Sequence, residues 1–145
     1  MTDQRIDILL VEDSVADAEM TLRTLKRRGV ANGVEWVRDG VEAVDYLFSE
    51  GKYADRKPGL PKLVLLDLKM PRMDGLQVLA RMKEHAATKT VPVVMMTSSR
   101  EEGDVLASYA LGVNSYVVKP VDFNEFAKTV VQVGLYWLMA NESVG

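Results

Sequence analysis

The sequence predicts an α/β protein with a doubly wound, five-stranded parallel sheet, and two observations carry that expectation. Short runs rich in Val, Ile and Leu alternate five times with longer segments of helical period, the pattern of strands covered by helices on both faces. The runs also end in chemistry: Glu12-Asp13 follows ILLV, Asp67 follows LVLL, Thr97-Ser98-Ser99 follows VVMM, and Lys119-Pro120 follows SYVV. Strands of a parallel sheet point the same way, so run ends far apart in sequence converge at one edge.

The elements follow in order. The first strand runs from about Ile6 to Val11, and the helix after it starts at Ser14, whose hydroxyl can cap while Asp17 sits three residues on. Val15, Ala18, Leu22 and Leu25 keep helical spacing up to Gly29. Val34 to Val37 is a second, shorter strand, and Val41, Val44 and Phe48 mark the next helix. GKYADRKPGLPK then reads as a loop because it carries Gly and Pro. Leu63 to Leu66 is apolar throughout and so central, KMPRMDG turns the chain, and Leu76, Leu79 and Met82 give a third helical face. Val93 to Met96 make the fourth strand, in which Met95 and Met96 fill core space. Val105, Leu106 and Tyr109 belong to a fourth helix stopped near Gly112, and Ser115 to Val118 form the last strand. The final helix spans about Asn124 to Met139. It has one apolar stripe of Phe123, Phe126, Val130, Val133 and Trp137, and a second of Ala127, Val131, Leu135 and Leu138. A helix apolar on most sides needs more than one partner surface, so a homodimer through this helix is expected.

With 145 residues the chain fits one domain and is too short for two ordinary ones, so no output domain is expected. Nothing approaches the roughly 18 apolar residues of a membrane span, and the polar start MTDQRID does not read as a signal peptide. Zero cysteines exclude disulfides and thiolate metal sites, and together these features favour the cytoplasm. A net charge of -3 without a basic block argues against a nucleic-acid surface and leaves proteins as the expected partners.

Carboxylates gathered at one sheet edge repel, and the usual resolutions are a shared proton or a bound cation. Three acids point to a divalent metal, and Lys119 points to a further anion. A phosphoryl group held between Mg²⁺ and lysine meets both demands. Asp74 belongs to the Asp-Gly turn with a structural role, and His85, the only histidine, is assigned to the surface.

The series strand-ED, strand-D-x-K-M-P-x-x-D-G, strand-TS and strand-K-P resembles the receiver domain of two-component response regulators, the CheY-like fold. The resemblance covers Ile6 to about Leu138. It implies a flavodoxin-like (βα)5 sheet of strand order 2-1-3-4-5. It implies Asp67 as phosphoacceptor, Glu12 and Asp13 as Mg²⁺ ligands directly or through water, and the Lys69 backbone carbonyl as a further ligand. Thr97 and Lys119 would each meet a phosphoryl oxygen, Tyr116 matches the aromatic switch position, and the Lys119-Pro120 bond is expected to be cis. A sensor histidine kinase would supply the phosphoryl group. The surface made by the fourth helix, last strand and last helix would change for a downstream protein or phosphotransfer partner. Lys69 and Ser99 occupy positions that influence self-dephosphorylation in the family.

Within the family, the extended loop before the third strand, the TSS motif and the Tyr136-Trp137 pair look similar to regulators that partner bacterial phytochrome-type histidine kinases. Two other classes compete. An aspartyl phosphatase would carry a second aspartate two residues after its nucleophile, where this chain has Lys69. A receiver used only for docking would have lost acids, Thr or Lys that are all present here. A receiver catalyses only its own phosphorylation and dephosphorylation, so it is a signalling switch rather than an enzyme of metabolism.

Overall fold

Five parallel strands lie in the order β2-β1-β3-β4-β5. They are β1 (Ile8–Val11), β2 (Val34–Val37), β3 (Leu63–Asp67), β4 (Val93–Thr97) and β5 (Ser115–Val118). The computed structural model describes residues 8–27, 33–56, 59–98, 101, 113 and 115–132, with the side chains of 130 and 131 left aside. Outside these residues lie Ile6, Gly29, Ser99, the helix expected around Val105–Tyr109, and the last helix beyond Gln132 with Tyr136 and Trp137.

Alternation along the strands sorts side chains to two cores. Leu9, Val11, Val64, Leu66, Val93 and Met95 face α2 (Gly40–Phe48) and α3 (Gly75–Lys83). Ile8, Leu10, Leu63, Leu65, Val94 and Met96 face α1 (Val15–Arg27) and α5 (Phe123–Gln132), whose Phe126 is fully buried. Truncating Phe126 to alanine therefore costs about 3–5 kcal/mol. Met95 and Met96 fill opposite cores, as expected of gap-filling residues in the central sheet. A short helix, α4 (Ala86–Lys89), leads into β4, and His85 before it is exposed and stacks on Phe48 with ring centres 4.7 Å apart.

Local chemistry fixes the helix starts. The Ser14 hydroxyl accepts from the Asp17 N–H at 3.2 Å, and Asp39 accepts from the Glu42 N–H at 2.8 Å. Asp74 and Gln77 form a reciprocal capping box at the start of α3, which is the structural role assigned to Asp74. The expected stripe on α1 is corrected at one end. Ala18 and Leu25 are buried, but Val15 is 45% exposed. Two strands run one residue further than their apolar runs, so Asp67 and Thr97 are the last residues of β3 and β4.

Candidate functional site

The parallel register delivers the polar run ends to one edge. Val11 pairs with Val37 and Leu66, Asp67 with Met96, and Thr97 with Val118, so Glu12, Asp67, Thr97 and Lys119 all emerge at the carboxyl end of the sheet. Gly75 lets α3 begin against the site: a Cβ there would collide with the Asp67 carbonyl oxygen, which only glycine avoids.

Glu12, Asp13 and Asp67 each offer a carboxylate oxygen, and these atoms lie within 4.8 Å of one another. Glu12 is fully buried, Asp67 is 4% exposed and Asp13 faces solvent. Glu12 is held from three directions. Its N–H donates to Val37 O at 3.1 Å, its Oε2 accepts from the Ser14 N–H at 3.1 Å, and its carbonyl accepts from the Trp36 indole N–H at 2.9 Å.

The Lys119 ammonium reaches two of these acids and a third from α1. Lys119 Nζ lies 3.1 Å from Asp17 Oδ2, 3.2 Å from Glu12 Oε1 and 3.4 Å from Asp67 Oδ1. The Lys119 N–H donates to Thr97 O at 2.7 Å, and the Lys119-Pro120 peptide bond is cis, as expected from the resemblance. Burial would depress the Lys119 ammonium, but its hydrogen bond to Asp17 and the charges of Asp67 and Glu12 outweigh that and hold it above the ordinary lysine value. Asp67 moves the other way. Burial first, then the hydrogen bond and charge of Glu12, push its carboxyl up to about 8 against the pull of Lys119. A buried carboxyl beside a second acid thus keeps its proton more readily than a free one.

The donor set is hard oxygen only, and it carries more negative charge than Lys119 neutralises. That fits a divalent cation of the Mg²⁺ or Mn²⁺ kind, for which two buried carboxylates and an exposed one leave room for waters. Lys69, two residues after Asp67, is exposed. Tyr116 is half-buried against the α2–α3 core, opposite Met95 in the register.

Sequence reasoning missed two participants in the site and one tie beside it. Asp17 was read as part of a capping box, yet its carboxylate turns to Lys119. Trp36 braces Glu12. Arg72 adopts a left-handed φ of 67° in the β3–α3 turn and pairs with the α2 cap Asp39 at 3.1 Å, tying that turn to α2. The only available signal for Asp17 was one more acid four residues after Asp13.

A parallel 2-1-3-4-5 sheet with an acid cluster and a lysine at its carboxyl edge defines a phosphoacceptor switch of the two-component class. The response regulator receiver domain model matches residues 8–131, and the chain belongs to that family. Receivers of this family take a phosphoryl group from a histidine kinase onto an aspartate and bind Mg²⁺ or Mn²⁺ at the acid cluster.

The chain is 41% identical over 139 residues to the probable methanogenesis regulatory protein FilR2 of Methanothrix harundinacea, covering 95% of this chain and 87% of the relative. It is 40% identical over 131 residues to response regulator Rcp1 of Synechocystis sp., covering 90% and 88% of the two chains. The Mn(2+)-bound form of Rcp1 superposes with a TM-score of 0.70 at 40% identity over 90% of this chain and 93% of that one. The bacteriophytochrome response regulator AtBRR matches at a TM-score of 0.87 and 51% identity, over 94% of this chain and 96% of its own. The chain is therefore a response-regulator receiver related to phytochrome-linked regulators. Among the described residues no helix is long and apolar enough to cross a membrane.

Proposed function

We propose that Asp67 accepts a phosphoryl group from the phosphohistidine of a sensor kinase, and that Glu12, Asp13, Asp67 and the Lys69 carbonyl hold Mg²⁺ during that step. The observation that carries this reading is the convergence of Asp67, Glu12 and Asp13 within 4.8 Å beside the Lys119 ammonium. An Asp67 oxygen attacks phosphorus, the P–O bond forms as the P–N bond breaks, and the electron pair leaves with the imidazole. Later, water attacks the same phosphorus and inorganic phosphate departs. When bound, the cation supplies charge neutralisation that lets two anions approach. Lys119 and the Thr97 hydroxyl stabilise the charge on the phosphoryl oxygens. Asp67 must be ionised to act as nucleophile, and a cation held by these residues would favour that form against the burial and the Glu12 charge that push it up to about 8.

The switch is read at the far surface. Tyr116 follows Thr97 when that hydroxyl turns to the phosphoryl group, and a groove of about 180 Å³ between β5 and α5, lined by Tyr116, Val118, Glu125, Lys128 and Thr129, changes shape with it. The chain acts as a receiver in the cytoplasm, catalysing only its own phosphorylation and dephosphorylation. Its kinase is phytochrome-type, a reading supported by the names of AtBRR and of a phosphorylated cyanobacterial phytochrome regulator, RcpA, 39% identical over 92% of this chain. A homodimer through the last helix is part of this proposal, and the face concerned lies mostly beyond the described residues.

Intact mass after incubation with Mg²⁺ and acetyl phosphate tests the central claim. One labile phosphoryl adduct, lost with Asp67→Asn and with chelator, is expected. No adduct with any donor would leave a docking module whose acid cluster is vestigial.

A further inference from the structure

Lys119 has three N–H donors and three carboxylate neighbours, and the three are not equivalent. Glu12 and Asp67 belong to the acid group that would hold a cation. Asp17 does not: it sits in the first turn of α1, 102 positions from Lys119 in sequence, and gives the shortest of the three contacts at 3.1 Å. Exposure separates them further. The side chains of Glu12 and Asp67 are 0% and 5% exposed, that of Asp17 is 38% exposed. A phosphoryl group on Asp67 brings oxygens that need donors, and an ammonium already committed in three directions can serve one only by leaving a partner. The partner released most cheaply is the solvated one, because water replaces what it loses, whereas a buried carboxylate stripped of its cation is strongly destabilised.

We propose that Asp17 is a positioning residue that competes with the phosphoryl group for Lys119, holding the ammonium toward α1 in the resting protein and releasing it when Asp67 is phosphorylated. The inference rests on Asp67 as phosphoacceptor and on Lys119 as its counter-ion. Asp17 thereby sets how tightly the phosphorylated state is held. The exchange also unties the end of β5 from the first turn of α1, so α1 senses the phosphoryl group through a single ion pair.

The test is beryllofluoride binding to the full chain at saturating Mg²⁺, followed by titration calorimetry. Asp17→Asn keeps the shape and removes the competing charge, and it is expected to bind the mimic about 3- to 5-fold more tightly. In a Lys119→Ala background the same substitution should make no difference. Unchanged or weaker binding in Asp17→Asn would overturn the competition, and so would an equal gain without Lys119. Binding that is absent from the parent chain, or that survives Asp67→Asn, would instead bring down the assignment of Asp67, a distinguishable failure.

Discussion

Two charged clusters in this molecule obey opposite rules. At the carboxyl edge of the sheet, Glu12, Asp17 and Asp67 gather around the Lys119 ammonium with Asp13 beside Glu12 and Asp67, and two of these acids are buried. Around α2, Arg72 pairs with Asp39, Lys52 with Glu42, and the Arg56 guanidinium lies 3.9 Å over the Tyr46 ring. There, Asp39 and Glu42 each have their own cation, and Arg72 and Lys52 are 59% and 64% exposed. Matched, solvated pairs fasten loops and contribute little else. Buried acids that share one ammonium favour the entry of a further cation.

The predictions press on that contrast. The largest effect is expected for Asp67→Asn, which should abolish the phosphoryl adduct in intact mass. It should also stabilise the metal-free protein. Asp67 titrates at about 8 when folded against 3.8 for the free group, so between those values the native state binds more protons than the unfolded state. Stability therefore falls as pH rises from about 4 to about 8. Asp67→Asn removes that slope, and calorimetric Tm at pH 8 should rise by roughly 5 °C.

Next in size, Lys119→Ala leaves crowded carboxylates without a counter-charge, and urea unfolding at pH 7 in chelator should show a loss of about 2–3 kcal/mol. Added Mg²⁺ should restore part of it, since a cation answers the same demand. A Lys119→Ala protein as stable as the parent would mean that the edge cluster is no less balanced than the one at α2.

Because a bound cation would compete with the Asp67 proton, Mg²⁺ affinity should climb nearly tenfold from pH 6 to 7, about fivefold from pH 7 to 8, and flatten above that. Calorimetric titration across pH 6 to 9 reads this directly, and a flat profile would remove the raised Asp67 carboxyl. The smallest effects belong to α2. Arg72→Ala should cost under about 1 kcal/mol and Asp39→Ala about 1 kcal/mol through its cap, with beryllofluoride binding unchanged within about twofold. A tenfold loss in either variant would make the α2 cluster part of the site after all.

The sheet and the edge chemistry were legible in the sequence because both depend on short-range order. Strand periodicity fixes which residues end each run, and parallel alignment brings those ends together regardless of the intervening chain. Glu12, Asp67, Thr97 and Lys119 could be gathered on that basis alone. What stayed hidden depends on how separate elements pack. Asp17 reads locally as a capping residue, and only the docking of α1 beside β5 turns its carboxylate to Lys119. Trp36 looks like an ordinary strand aromatic until β2 lies beside β1 and its indole reaches the Glu12 carbonyl. Val15 fits the apolar spacing of α1 yet is exposed, since periodicity describes a helix face and not what covers it.

The Trp36 hydrogen bond has an optical use. Indole emission responds to the electric field across the ring, and this ring donates at 2.9 Å to the main chain of a buried acid in the site. Charge entering or leaving that acid cluster should alter the emission without any label attached. With Trp137→Phe removing the other indole, one native fluorophore would time cation arrival, phosphoryl capture and phosphoryl loss in a stopped-flow trace.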